Sequence, residues 1–169
     1  MLTIDPPPFR IYLLRHAKSG WAKPDERDFD RTLDDQGYVE AEIVADIAAD
    51  RNYRPDIVIC STAVRCRQTA DAIRRAMDET LEMVFVDELY NAPLATYLAL
   101  LAAQEEKQSV MLVGHNPTIE EALEALVGAD HMVAAIPGGF PTAGLAVIDH
   151  RGVTSGAETG WVITDFITA

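Results

Sequence analysis

Two short apolar runs constrain this chain more than any other feature. Phe9-Arg10-Ile11-Tyr12-Leu13-Leu14 and Ser109-Val110-Met111-Leu112-Val113 are dominated by branched and aromatic side chains and are too short to form core helices. Runs of this kind read as strands buried on both faces, the signature of a parallel sheet covered by helices. Each run closes in a histidine: the first in Arg15-His16-Ala17-Lys18-Ser19, the second in Gly114-His115-Asn116-Pro117. In an open α/β sheet, groups just past the carboxyl ends of the strands share one crevice. His16 and His115, far apart in sequence, can therefore meet there with Arg15 beside them.

The rest of the chain alternates strand and helix signals. After the first strand comes a polar loop, Gly20 to Arg31. Thr32-Leu33-Asp34-Asp35 then reads as a helix start with Thr32 as N-cap. Val39, Ile43, Val44, Ile47 and Ala48 follow at helical spacing as one apolar face. Pro55 stops that helix, and Ile57 to Cys60 is a second short buried strand. Ser61 opens the next helix, with Thr69, Ile73, Ala76 and Met77 three or four apart. Leu81 to Val86 reads as a strand, Leu94 to Ala103 as a helix entered at Pro93, and Pro117 to about Val127 as another. Gly138-Gly139-Phe140-Pro141 is a loop. Ala143 to Ile148 and Trp161 to Ile167 are the last strands, joined through Gly152 and Gly156 as a hairpin. The pattern predicts a single three-layer α/β/α domain over residues 1–169, with a mainly parallel sheet of about six strands.

Composition narrows the partners. The net charge is −13, from 27 acidic against 14 basic residues, which makes nucleic acid and anionic membrane surfaces poor partners. An anionic substrate must then be captured by a few arginines focused in a cleft. No apolar run reaches 18 residues, so no membrane span is expected. Met1 to Arg10 lacks the basic start and apolar stretch of a signal peptide, and a cytoplasmic location is the expectation. The two cysteines form no disulfide framework, and Cys60, at the end of an apolar run, reads as a small buried residue. No Cys/His cluster has zinc-ligand spacing, so neither metal nor cofactor is expected.

A neutral histidine with one nitrogen facing phosphorus can accept a phosphoryl group. The remaining task is positioning and neutralising the equatorial oxygens, for which the planar, permanently charged guanidinium is suited. Arg15 stands at the first strand end beside His16. Arg65 falls in the first turn after the second buried strand, on the same sheet edge, where helix amides add positive field. Arg31 and Lys18 are further basic candidates, Arg31 either turning toward the phosphate or pairing with Asp28 or Asp30. His131 and His150 have no such setting and read as ordinary surface residues.

Leu14-Arg15-His16-Ala17, Ser61 to Ala70, and Gly114-His115-Asn116 resemble the three signature segments of the histidine phosphatase superfamily, the phosphoglycerate mutase-like fold. Arg15 to Ser19, Asp28 to Leu33, Leu89-Tyr90-Asn91-Ala92, Gly114 to Pro117, and Pro141 to Leu145 further resemble its small SixA-like phosphohistidine phosphatase branch. The resemblance runs in order from about residue 9 to 148. It implies that His16 is a nucleophile forming a phosphohistidine, with Arg15, Arg65 and His115 on the phosphoryl group. Arg31, Asn116 and Ser19 are substrate-binding candidates. The implied substrate is a phosphorylated protein carrying phosphohistidine, or a small phosphorylated molecule.

Two departures stand out. Ala17 replaces the glycine usual after the nucleophile. Where many members carry a glutamate proton donor two residues beyond a leucine, this chain has Asn91 two beyond Leu89. Asp87 and Glu88 are near but out of register, leaving one of them or water as the donor. An alkyl phosphate leaves as a basic alkoxide that needs a proton in the transition state, whereas a phosphorylated imidazole has a much better leaving group. The missing acid therefore favours a phosphoramidate, and short connections with no long insertion over the site suit a side chain on a protein surface. A phosphohistidine-binding module with little turnover and a small-molecule phosphomonoesterase are the alternatives. Asp28-Phe29-Asp30-Arg31-Thr32 fits the D-x-D-x-T pattern of haloacid-dehalogenase-type phosphatases, but residues 22–27 cannot supply the buried strand that must precede it. The cysteine phosphatases need an arginine six residues past the cysteine, and that position after Cys60 is Cys66.

Overall fold

One twisted sheet organises the chain, and its strand order explains why the ends of three strands meet. In the computed structural model, which describes residues 3–152 and 159–169, the strands are β1 (Arg10–Arg15), β2 (Ile57–Ser61), β3 (Met83–Val86), β4 (Ser109–Gly114), β5 (Leu145–His150) and β6 (Trp161–Ile167). They lie in the order β3-β2-β4-β1-β5-β6. The pairings β1–β4, β2–β4 and β2–β3 are parallel, while β1–β5 and β5–β6 are antiparallel. The last two strands form the expected hairpin. The turn expected through Gly156 lies outside the described residues.

Among the described residues, five helices cover the sheet: α1 (Asp35–Asp50), α2 (Val64–Met77), α3 (Leu94–Ala102), α4 (Thr118–Val127) and α5 (Ala129–Ala135). Successive strand residues point to opposite faces, so each central strand feeds two cores. Ile11, Leu13, Ile59 and Leu112 pack under α3, α4 and α5 with Tyr97, Leu101, Ile119 and Leu123. Tyr12, Leu14, Cys60, Met111 and Val113 pack under α1 and α2 with Val44, Ala48, Cys66 and Ile73. Burying one such large side chain stabilises by about 1.5–3 kcal/mol.

Local details differ from the sequence reading. The cap of α1 is Asp34, not Thr32; its carboxylate accepts from Gly37 N at 2.7 Å, because an aspartate one residue before the helix outcompetes a threonine two residues further out. The buried face of α1 is Ala41, Val44, Ala45 and Ala48, while Val39 and Ile43 are exposed. Small residues let this helix approach closely, and at Gly37 any Cβ would overlap the Lys18 carbonyl. Ser61 ends β2 rather than opening α2, which begins at Val64. α5 and two short 3-10 turns, Asp28–Asp30 and Asp87–Leu89, carry no periodicity long enough to announce them. The connections are not uniformly short either: residues 16–34, between β1 and α1, form a long segment beside the site.

Candidate active site

β1 and β4 run side by side and parallel, with Arg15 opposite Gly114. The residues that follow, His16 and His115, therefore emerge together. Their ring centroids are 5.5 Å apart. β2 lies on the other side of β4, and the first turn of α2 after it brings in Arg65. These side chains line a cavity of about 570 Å³ together with Lys18, Ser19, Arg31, Asn91 and Asn116. The residues read from the sequence as nucleophile, phosphoryl-binding or substrate-binding groups all reach this one cavity, whereas the candidate donors Asp87 and Glu88 do not.

His16 is held from several sides. Its N–H donates to the Gly114 carbonyl at 3.2 Å, and its own carbonyl accepts from Ala143 N at 3.2 Å. The ring Nδ1 donates to the Ala17 carbonyl at 2.8 Å. A carbonyl can only accept, so the proton sits on Nδ1 and Nε2 keeps its lone pair. Burial above all, together with the charges of Arg65, Arg15 and Arg31, pushes the His16 pKa down to about 4, against the raising effect of the Ala17 hydrogen bond. At neutral pH His16 is an uncharged base.

His115 is neutral for similar reasons. Burial first, then His16 and Arg65, push it down to about 3, with Asp28 opposing. Its backbone N–H donates to the Tyr97 hydroxyl at 2.9 Å. Gly114 makes that bond possible, since a Cβ there would collide with the Tyr97 ring. Its Nε2 lies 2.8 Å from Ser61 Oγ, and its Nδ1 lies 3.5 Å from an Arg65 amino nitrogen.

The arginines are arranged as anion donors. Arg15 donates from Nη1 to the Phe140 carbonyl at 2.7 Å, and burial lowers its pKa. Arg65 donates to the Asp28 carbonyl and carboxylate at 2.9 and 3.1 Å. The Nε atoms of Arg15 and Arg65 are buried with no hydrogen-bond partner among the described residues. An orphaned N–H on a buried cation costs about 1–3 kcal/mol, a cost an oxyanion removes. Arg31 does both things the sequence allowed: it lines the cavity, and its Nε lies 2.8 Å from Asp28 Oδ1, as an ion pair outside hydrogen-bond angles. Lys18 directs its ammonium to Gln36 at 3.0 Å.

No aspartate or glutamate is among the described residues lining the cavity. Asp87 and Glu88 are exposed, and Glu88 borders a separate groove beside Ala95 and Leu100. Both are thereby ruled out as lining groups, because the 3-10 turn they occupy buries only Leu89. Asn91 does line the site, with φ at 56°, a left-handed conformation that asparagine tolerates better than most residues. Among the described residues no group of three or more His, Cys, Asp or Glu could hold a metal. His131 is exposed as expected, whereas His150 packs edge-on against Trp161.

Several contributors were not legible in advance. Tyr97 on α3 reads as an ordinary core aromatic, and Thr118 at the start of α4 and Thr142 in a turn also line the cavity. Asp28 holds Arg65 and Arg31 from outside the lining, and Tyr90 donates to its carboxylate at 2.6 Å. The only signal for them was inclusion in the segments around Asp28 and Tyr90.

The fold and this site define a class, and comparison with known proteins agrees. Residues 11–97 match the profile of the histidine phosphatase superfamily (branch 1), and the chain belongs to that superfamily. Within it the chain is SixA-like. It is 57% identical to a crystal structure from Agrobacterium tumefaciens assigned provisionally as the phosphohistidine phosphatase SixA, with a TM-score of 0.88 over 96% of this chain and 99% of that one. An uncharacterized protein of Mycobacterium tuberculosis is 32% identical over 87% of this chain and 93% of its own length. An uncharacterized chloroplastic protein of Arabidopsis thaliana is 31% identical over 71% of this chain, which spans only 60% of that relative.

Proposed function

We propose that residues 1–169 act as one metal-independent phosphohistidine phosphatase whose substrate is a phosphorylated histidine on a protein. The observation that carries this reading is the lining itself: among the described residues it is built of arginines, neutral imidazoles and amides, and the carboxylate of Asp28, engaged by Arg65, Arg31 and Tyr90, is not one of the lining groups. His16 Nε2 attacks phosphorus, forming a P–N bond as the bond to the leaving imidazole breaks. Arg15, Arg65 and His115 hold the equatorial oxygens, with Arg31, Asn116 and Ser19 at the edge. The leaving imidazole takes its proton from water. A water oxygen then bonds to phosphorus and the P–Nε2 bond breaks, returning His16 to its starting state and releasing phosphate. Without a buried acid, the barrier follows the basicity of the leaving group.

Trp21 supports a protein substrate. Its side chain is 95% exposed, and it follows Gly20, whose carbonyl accepts from Arg31 at 3.1 Å. An exposed indole two residues beyond Ser19, which lines the cavity, is suited to act as an interface anchor. A cytoplasmic setting belongs to this reading, in keeping with two free buried cysteines.

The test is phosphate release from a phosphohistidine protein, an aryl phosphate and an alkyl phosphate, each with and without chelator. Release should fall in that order and be indifferent to the chelator. Trp21→Ala should weaken only the protein substrate, by roughly fivefold or more. Alkyl phosphate cleaved as fast as phosphohistidine points to a small-molecule esterase, and binding without release points to a recognition module; either outcome overturns the proposal.

A further inference from the structure

Ser61 is a nucleophilic residue of the site's inner wall that the reaction above does not use. It closes β2 and is fully buried. Its Oγ accepts from Ala63 N at 3.3 Å and stands 2.8 Å from His115 Nε2. Cys66 Sγ is also near that nitrogen, at 3.5 Å, and burial pushes the Cys66 thiol up to about 12, so it stays protonated. Nε2 of His115 therefore faces a closed compartment made by Ser61 and Cys66, while Nδ1 faces the Arg65 guanidinium in the cavity.

A neutral imidazole carries one proton, and where it sits decides what His115 offers the cavity. Arg65 can only donate. With the cavity empty, its contact with Nδ1 favours a lone pair there and the proton on Nε2, donating to Ser61. A phosphoryl oxygen can only accept, so a bound phosphoryl group favours the opposite arrangement. We propose that Ser61 is a positioning residue: its hydroxyl donates to His115 Nε2 when a phosphoryl group is bound, placing the ring proton on Nδ1 and making neutral His115 a hydrogen-bond donor to that group.

A hydroxyl suits both states because its single proton rotates while a lone pair continues to accept from Ala63. The two arrangements differ only in which ring nitrogen carries the single proton, so no net charge changes. Before a phosphoryl group binds, a cationic His115 is opposed by burial, by His16 and by Arg65, with Asp28 acting the other way. An alanine at position 61 supplies no such proton, and a threonine does. The inference rests on the cavity being a phosphoryl site, which Proposed function assigns to it.

The experiment titrates the ¹⁵N-histidine-labelled protein with inorganic phosphate and reads the two ring nitrogens of His115. Phosphate binding should move the proton-bearing signal to Nδ1, leaving Nε2 as an acceptor. Ser61→Ala should abolish that pattern and weaken inhibition by phosphate by roughly tenfold, the loss expected for one hydrogen bond to a charged group. Ser61→Thr should restore both. Phosphate bound with a proton-free Nδ1 in the wild type, or Ser61→Ala retaining wild-type inhibition and signals, overturns the role of Ser61 alone. No phosphate effect on His16 or His115 overturns the phosphoryl-site reading together with it. The wild-type titration stands even if Ser61→Ala does not fold.

Discussion

The two ends of β1 each carry an arginine, and the two are used in opposite ways. Arg10, at the start of the strand, donates from Nε and Nη2 to both oxygens of Asp149 on β5, at 2.6 and 3.0 Å. That carboxylate raises the arginine's pKa beyond its already high value. Arg15, at the other end, has no carboxylate partner in hydrogen-bond reach among the described residues; burial lowers its pKa, and Glu120 and Glu40 only oppose the fall. One guanidinium is satisfied by the fold. The other keeps an unpartnered Nε facing the cavity. A satisfied cation ties two strands together, whereas an unsatisfied one is free to meet an anion from outside.

The sharpest way to break this comparison is through the group between the arginines and the substrate. His16→Ala should abolish phosphate release, by roughly 10⁴-fold or more, while circular dichroism and the unfolding midpoint stay near wild type. During turnover, wild-type protein should trap acid-labile, alkali-stable phosphate on His16. Near-normal release by His16→Ala would end the covalent route.

The arginines themselves come next. Arg15→Ala or Arg65→Ala should slow turnover by roughly 10²–10³, the scale for losing one transition-state charge stabiliser. Arg65→Lys should recover only part of it, since a point charge cannot make the bidentate fork. Arg10→Ala should leave kcat/KM unchanged. If Arg10→Ala damages turnover as much as Arg15→Ala does, the two ends of β1 are not functionally distinct.

A third test uses pH. His16 has a folded pKa depressed from about 6.5 to about 4, so between those values the unfolded chain binds the proton and the folded one does not. Stability is full above pH 6.5 and falls as pH drops through the window, by up to about 3 kcal/mol for His16. Denaturant unfolding at pH 7 and at pH 4.5 measures the loss, and His16→Ala should show a smaller one. Equal losses would mean that His16 is already protonated in the folded state. Under the proposed mechanism, catalytic competence should persist below pH 6.5, because His16 stays neutral there.

The smallest effect belongs to the structural end. Arg10→Ala removes a partly exposed ion pair, with side-chain exposures of 34% and 15%, and should cost about 1 kcal/mol or less in unfolding free energy. A cost well above that would show that the pair organises the β1–β5 register.

Much of this architecture was legible because buried parallel strands have a simple signature. Ile11 to Leu14 and Val110 to Val113 are apolar at every position because both faces of the sheet are covered, and their ends carry His16 and His115 side by side. Arg65 was legible for the same reason, one turn past a third such strand. Asp34 as the cap was less so, since Thr32 and Asp34 both carry suitable side chains and the choice depends on where the chain leaves Lys18. The exposed face of α1 was misread because Val39 and Ile43 share helical spacing with the buried residues, and only the neighbour decides which side is covered. Tyr97 gave no sign of a role at the site, and Ser61 only that it opens the segment Ser61 to Ala70, because each is defined by what it touches from another element.

The sequence by itself determined the strands, their order of appearance, the chemistry at their ends and the absence of an acid at Asn91, since these follow from local side-chain type and spacing. Tertiary structure decided which nitrogen of each histidine faces the cavity, which arginines remain unpaired, and that Asp87 and Glu88 point elsewhere. Those are properties of distance and burial between segments up to a hundred residues apart. Electrostatic and hydrogen-bond effects fall off over a few ångströms, so no one-dimensional pattern contains them.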